Sequence, residues 1–326
     1  MMAHGEPKQN LDPEKPVTIR IMLAPTADLA RSASADVTIE AEYGSVVWEG
    51  TVFTAAHHQA SGPYAGRHQG GTQPSPCNNR DLPVVGVMDT IGVSHFDLDT
   101  LGGVLRAWGL EGFFGGTLTS FWDLAEFVDC NGPHRLAQAG ASEEDLERLH
   151  AFWAWSSENR LPRAEEVTDV TKFFAEAESV LRRILQGEGD PELLRAGRDF
   201  REAGEKLNRE SLVQVVSDVA VRCSPGFTNH LYALPHGAPC KAVAAYNTSH
   251  GSVTVSLADP IEGVSCREVV QALWGPDAGG HDGIAGSPRG QRMSIHDLAD
   301  AAKAMGIVLA GSRLSYDPKT GELTGA

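Results

Sequence analysis

The sequence predicts an α/β fold: two α/β domains joined by a helical segment. The N-terminal domain is expected to hold a mainly parallel sheet, and the C-terminal one a smaller mixed sheet. Three observations carry this expectation. Apolar and β-branched runs alternate with helical patterns through the first half of the chain, as strands and their crossover helices do. A strongly charged block with helical patterning fills residues 142–216. After it, two strand-like runs flank Asn247-Thr248-Ser249-His250-Gly251, a hairpin turn by composition. Residues 1–16 are polar and read as a flexible leader. The domains are expected at 17–141, with an N-terminal β extension, and at 217–326, with connecting helices between.

The elements follow in chain order. Residues 17–23 alternate and are β-branched, as a strand is. Residues 36–42 and 45–54 predict two more strands, with Tyr43-Gly44 as the turn. Residues 59–79 are rich in Gly, Pro, Ser, Gln and His and form a long loop, which in a compact domain is often functional; residues 62–79 are a candidate lid. The apolar run 82–87 reads as a strand rising to a loop, with a helix starting near Thr100. Residues 124–129 form a short apolar run with the character of a strand end, and Gly132-Pro133 stops regular structure there. Ser142 caps a helix whose first turn holds Glu143, Glu144 and Asp145, acids that suit the positive end. Further helices are expected over 170–186 and from Pro191, a favoured first residue, to about 216. Strands are expected at 219–223, 232–233, 241–246 and 253–257. A helix at 266–274, a glycine-rich loop at 275–290 and a Ser-capped helix at 294–305 complete the chain. No repeat with a period of 20–50 residues is visible.

Composition bounds the function. The chain has 326 residues, 41% hydrophobic and 21% charged, enough for two domains with sizeable cores. A net charge of −16 argues against long nucleic acid, which needs a basic stripe. A small anionic substrate stays compatible, because bound divalent cations reverse the local sign of a site. No apolar run reaches the length of a membrane span, and residues 1–16 lack the apolar core of a signal peptide. Five cysteines without a Cys-x-x-Cys pair fit a reduced, cytoplasmic setting. A homodimer is the assembly entertained.

The segment richest in chemistry is Ser94-His95-Phe96-Asp97-Leu98-Asp99. One imidazole and two carboxylates at alternate positions beyond a strand can aim at one point. Such donors suit Mn²⁺ first, with Mg²⁺, Fe²⁺ and Zn²⁺ as alternatives, so His95, Asp97 and Asp99 are candidate metal ligands of a hydrolase. The bland reading is a solvated acidic loop. Asp129 and His134 would join them from the next strand end, since ligands of open α/β sheets gather at the carboxyl ends of strands; otherwise they form a surface turn. Asp123 is the weaker neighbour, possible as a helix start. Gly279-Gly280-His281, with Gly283, Ala285 and Gly286, could cradle an anion through backbone N–H groups. Arg289 and Arg292 lie close by; a flexible loop is the plain alternative. His57, His58 and His68 could be ligands, although adjacent residues of a strand face opposite ways. Cys77 could face substrate, but no spacing marks it as a nucleophile. No Gly-x-Ser-x-Gly elbow, phosphate-binding P-loop, His-Glu-x-x-His or dinucleotide fingerprint occurs.

His95, Asp97 and Asp99 together with Gly279-Gly280-His281-Asp282-Gly283-Ile284-Ala285-Gly286 give the chain a resemblance to the DHH phosphoesterase superfamily, over roughly residues 82–310. The family includes oligoribonucleases, single-strand exonucleases and family II inorganic pyrophosphatases. The chain departs from the pattern. The literal Asp-His-His motif is missing after the first motif, with Asp129 to His134 as the only replacement there. The adjacent pair His57-His58 lies in the N-terminal addition. Either one of that pair rebuilds a second metal site, or a single metal is kept.

The resemblance implies a metal-dependent hydrolase of a small, nucleotide-like phosphoester or phosphoanhydride. One or two cations would sit among His95, Asp97, Asp99, Asp129 and His134, with His57 or His58 as further ligands, and activate water. His95, Asp99 and His281 would be catalytic. Gly279, Gly280, His281 and Arg289 would bind the anionic end of the substrate. Two alternatives stay open: metal-dependent cleavage of a non-phosphate metabolite, and an inactive nucleotide-binding module.

Overall fold

The computed structural model describes residues 19–43, 45–59, 61–86, 89–288, 290–312, 314–317 and 322–325. The leader at 1–16 and Arg289 lie outside the described residues. The chain forms two α/β units, Met1–Glu126 with Ala141–Gly197, and Phe127–Gly140 with Arg198–Ala326.

The first unit contains β1 (Arg20–Leu23), α1 (Ala27–Arg31), β2 (Val37–Ile39), β3 (Glu42–Tyr43), β4 (Val46–Val47), β5 (Phe53–Ala55), β6 (Thr90–Val93) and α2 (Leu98–Ala107). Helix α3 (Thr119–Asn131) begins in this unit and ends in the other. Helix α4 (Glu143–Glu158), β7 (Thr168–Asp169) and α5 (Thr171–Leu185) follow. The sheet order is β5-β2-β6-β1-β7. The first four strands are parallel and β7 is antiparallel to β1. Ile21, Ile39, Ile91 and Val93 are fully buried, as expected where helices cover both faces of a parallel sheet. Phe174, Ala177, Leu181 and Ile184 place a buried stripe on α5. Phe96, in the loop after β6, is fixed by the rings of Phe152, Trp155, Phe173 and Phe174.

Several sequence expectations change here. The strand that feeds the His-x-Asp-x-Asp loop is Thr90–Val93, not 82–87. Residues 82–86 take no regular form: Pro83 has no N–H to give a ladder, and the Val85 N–H goes to the Ala107 carbonyl instead. The 36–42 run breaks because Glu40 takes φ 51°, after which β3 and β4 form a small hairpin. The N-terminal residues are no extension, because β1, β2 and β5 are strands of the central sheet. Residues 124–129 lie within α3, whose buried positions Phe121, Trp122, Leu124 and Ala125 follow a helical period. The last connecting helix, α6 (Pro191–Ser211), stops at Ser211. The valine-rich β8 (Leu212–Val216) follows it, as β-branched residues favour.

The second unit adds β9 (Val219–Ser224), β10 (Ala242–Asn247), β11 (Ser252–Leu257), α7 (Cys266–Trp274), β12 (Gly279–Gly280), β13 (Ile284–Gly286), α8 (Ile295–Leu309), β14 (Leu314–Asp317) and β15 (Glu322–Gly325). Its main sheet runs β12-β13-β11-β10-β9-β8. It is mixed: β9 and β10 are parallel, and the other pairs antiparallel. Val221, Ala244 and Val255 pack with Val269 and Val270 of α7 and Leu298 and Met305 of α8. Buried Arg222 gives its five N–H groups to Leu231, Asn208, Ser211 and Ala233, which explains how a buried guanidinium is tolerated without a carboxylate. No described helix is long and apolar enough to cross a membrane.

Candidate metal centre

In the first unit the chain leaves β2 at Glu40, β5 at Ala56-His57-His58, and β6 at Ser94-His95. All three exits are carboxyl ends of parallel strands, where open α/β sheets hold ligands. Glu40 is buried, and its two oxygens are shared between two imidazoles. His57 Nε2 lies 3.0 Å from Oε1 and His58 Nε2 2.8 Å from Oε2. Asp99 Oδ2 is 3.4 Å from His57 Nε2. One donor atom each from Glu40, His57 and His58 falls within 4.8 Å of the others. The His68 ring stands 5.5 Å from that of His57.

Neighbouring groups orient each donor. The Glu42 carboxylate accepts the backbone N–H groups of His57 at 3.0 Å and His58 at 3.1 Å, and the side-chain amide of Gln59 at 3.0 Å. That grip turns the chain after β5, so two consecutive histidines reach one carboxylate. Ser75 Oγ lies 3.5 Å from His57 Nδ1, which leaves Nε2 facing the acids. Asp99 sits in the first turn of α2, and its Oδ1 accepts the Cys77 N–H at 2.8 Å. The Cys77 carbonyl in turn accepts from Arg106 Nε. The Ser94 hydroxyl donates to the Glu40 carbonyl and lies 2.8 Å from His95 Nδ1. His95 Nε2 is 3.0 Å from Asp97 Oδ2, while Asp97 Oδ1 caps α2 through the Thr100 N–H at 2.7 Å.

The electrostatics follow from burial and pairing. Burial pushes the Glu40 carboxyl upward, but the hydrogen bonds and charge of His57 and His58 outweigh it and bring it down to about 2. For Asp97, burial again pushes upward and the His95 contact brings the carboxyl below its ordinary value. Buried carboxylates are costly unless paired or metal-bound. Two imidazole nitrogens and the Glu40 carboxylate within 4.8 Å of one another, with Asp99 beside His57, are the kinds of donor that bind a divalent transition metal.

The predicted residues are thus sorted. His95, Asp97 and Asp99 reach the carboxyl end of the sheet, but they divide. Asp99 turns inward to His57, while His95 and Asp97 pair beside it with side chains 46% and 39% exposed. His57 and His58 are central rather than peripheral. Asp123 lies on α3 and faces Asn78 Nδ2 at 3.4 Å. Asp129 and His134 belong to the second unit, on α3 and in the 3-10 turn Pro133–Gln138; neither follows a strand. His134 Nε2 accepts from Arg135 at 3.4 Å, and its ring packs on Tyr232 at 5.2 Å. Gly279 and Gly280 form the exposed edge strand β12, and exposed His281 starts the turn into β13. Gly280 has φ 152°, and a Cβ there would stand 2.4 Å from the Ile284 carbonyl. Cys77 is fully buried and faces no open space.

Sequence reasoning missed Glu40 and Glu42. In Val37-Thr38-Ile39-Glu40-Ala41-Glu42 the alternation assigns Thr38 and Glu40 to a solvated face. This sheet is covered on both faces, and Thr38 and Glu40 are both buried. An acid at the end of a parallel strand was the available signal.

A cavity of about 440 Å³ adjoins His95, lined by Ser94, Leu23, Phe96, Asn159 and Arg160 among others. Arg160 Nε donates to the Ser157 carbonyl at 3.4 Å, and no described carboxylate pairs with it.

No protein-family model matches the sequence, and no curated protein matches it. Among solved structures, the pGpG-specific phosphodiesterase PggH from Vibrio cholerae is similar at 12% identity and a TM-score of 0.35, over 71% of this chain and 82% of that one. An uncharacterized protein from Helicobacter pylori G27 is similar at 14% identity and a TM-score of 0.20, over 68% of this chain and 69% of that one.

Proposed function

We propose that the chain is a divalent-metal-dependent hydrolase of a small phosphoester or phosphoanhydride, nucleotide-like in size. The observation that carries this reading is the buried Glu40 carboxylate flanked by His57 and His58, with Asp99 beside His57. These four residues would hold the cation. The mixed nitrogen and oxygen donors favour Mn²⁺, Fe²⁺ or Zn²⁺ over Mg²⁺, which prefers oxygen. A cation bound there supplies Lewis-acid chemistry, lowering the pKa of bound water and neutralising a phosphoryl oxygen.

The chain's own groups do the rest. Asp97 accepts from His95 Nε2–H, and Ser94 Oγ, whose own proton goes to the Glu40 carbonyl, accepts from Nδ1–H. Two acceptors suit the protonated ring, and His95, at the cavity wall, would give its Nε2 proton to the leaving oxygen and return to neutral imidazole. Arg160, across the same cavity, receives the anionic end of the substrate. The Gly279–Gly280 strand and His281, in the second unit, are a separate proposed anion-binding element, and His281→Ala should leave metal content unchanged.

Elemental analysis tests the reading, followed by a phosphoester screen with Mn²⁺ resupplied. Wild type should carry about one or two equivalents of transition metal, and an Asp97→Ala, Asp99→Ala variant should lose metal and turnover. Protein that binds no metal after resupply, or a double variant with wild-type turnover, would overturn it. His95→Gln separates two roles. Retained metal with lowered kcat marks a proton donor, and lost metal marks a ligand.

A further inference from the structure

A second cavity, of about 330 Å³, lies in the first unit and is lined by Asn78, Arg80, Arg106, Glu111, Phe114 and Thr119, among others. Two guanidinium groups share it. Arg106 is held in place from two sides: its Nε donates to the Cys77 carbonyl, and its guanidinium lies 3.8 Å from the centre of the Phe114 ring. Stacking and one hydrogen bond fix the plane of the fork. Its two terminal amino groups have no hydrogen-bond partner among the described residues. Arg80 is exposed and likewise makes no hydrogen bond or ion pair among them. Glu111 stands on the wall, yet no described carboxylate comes within ion-pair distance of either arginine.

The chain has 43 Asp and Glu residues against 27 Lys and Arg, and many of its arginines have an acidic partner. Arg31, Arg135, Arg148, Arg182, Arg183 and Arg201 each have one. Arg80 and Arg106 instead stand together, like-charged and unpaired, in one concavity. Two planar forks present more N–H donors than the two oxygens of a carboxylate can accept. A phosphoryl group, with three or more acceptor oxygens, can be shared between them.

We propose that the Arg80–Arg106 cavity is a binding site for a small phosphate-bearing anion, separate from the metal centre. Arg106 is the pre-set fork, Arg80 closes over the anion from the solvent side, and Glu111 weakens binding by repulsion. The proposal does not depend on the hydrolase reading.

Inorganic phosphate is the probe, titrated by calorimetry at constant ionic strength with EDTA present. Wild type should bind saturably at one site. Arg80→Ala should weaken binding about tenfold or more, as expected for loss of a charge-assisted contact. Glu111→Gln should tighten it, and Arg106→Lys, which keeps charge but loses the fork, should weaken it. Arg209→Ala, an exposed arginine of α6, should leave it unchanged. Absence of saturable binding, wild-type affinity in both Arg80→Ala and Glu111→Gln, or an equal loss of binding in Arg209→Ala would each overturn the proposal.

Discussion

Glu40 combines a left-handed backbone, full burial and a charge shared by two imidazoles. A non-glycine residue held at positive φ costs of order 1 kcal/mol or more, so the carboxylate is kept at that point against local preference. Glu40→Gln retains shape and removes charge. It should lower metal affinity by about tenfold or more, measured by competition with a chromophoric chelator, while the far-ultraviolet dichroism stays that of wild type. Asp169 tests the acid side of stability. Burial pushes its carboxyl up, but hydrogen bonds from Thr171 and the charge of Arg20 bring it below its ordinary 3.8. A carboxyl lowered by folding stabilises the native state above its unfolded pKa and ceases to do so as pH falls through the folded value. Below about pH 4, urea midpoints should therefore fall less steeply for Asp169→Asn than for wild type. Cys266 is fully buried, and burial pushes its thiol up to about 12. Iodoacetamide at pH 8 should spare it in native protein and label it in urea.

At the scale of elements, α2 is positioned by glycine. A Cβ on Gly102 would stand 2.4 Å from Cys77 Cβ and 3.0 Å from its Cα, and one on Gly103 would meet Pro76 and Ile39. The helix therefore rests directly on the turn that orients Asp99. Gly102→Ala should destabilise by ~1–3 kcal/mol through overpacking, visible as a lower thermal midpoint, and should also weaken metal binding. Helices with local signals were legible from sequence. Cys266–Trp274 matches the expected span, and Ser294 forms the reciprocal cap with Asp297. The β10–β11 hairpin was legible for the same reason, since Asn247 and Gly251 shape the turn within a few residues. Residues 124–129 misled because a short apolar run does not distinguish strand from buried helix.

At the scale of the whole molecule, the site is assembled from strand ends that are remote in sequence. His95, Asp97 and Asp99 were legible because they share one loop, and the His57-His58 pair because it is adjacent. Their meeting was expected only through the family resemblance, since it depends on β2 lying between β5 and β6. No local pattern states that order. A cation that binds only the folded state stabilises it in proportion to the logarithm of its concentration over Kd, about 2.7 kcal/mol at a hundredfold excess. Chelation should therefore lower the thermal midpoint of wild type and leave that of Glu40→Gln nearly unmoved.

The turn at Cys77 meets both sites of the first unit, its N–H at Asp99 and its carbonyl at Arg106. The two peptide planes meet at one buried α-carbon, so any coupling between an anion at Arg106 and Asp99 would run through that turn. Linkage then makes the effect symmetrical. By whatever factor phosphate changes the affinity for manganese, manganese must change the affinity for phosphate by the same factor. Two titrations, each repeated at saturation with the other ligand, should return one number, and that number is one for two sites that do not communicate.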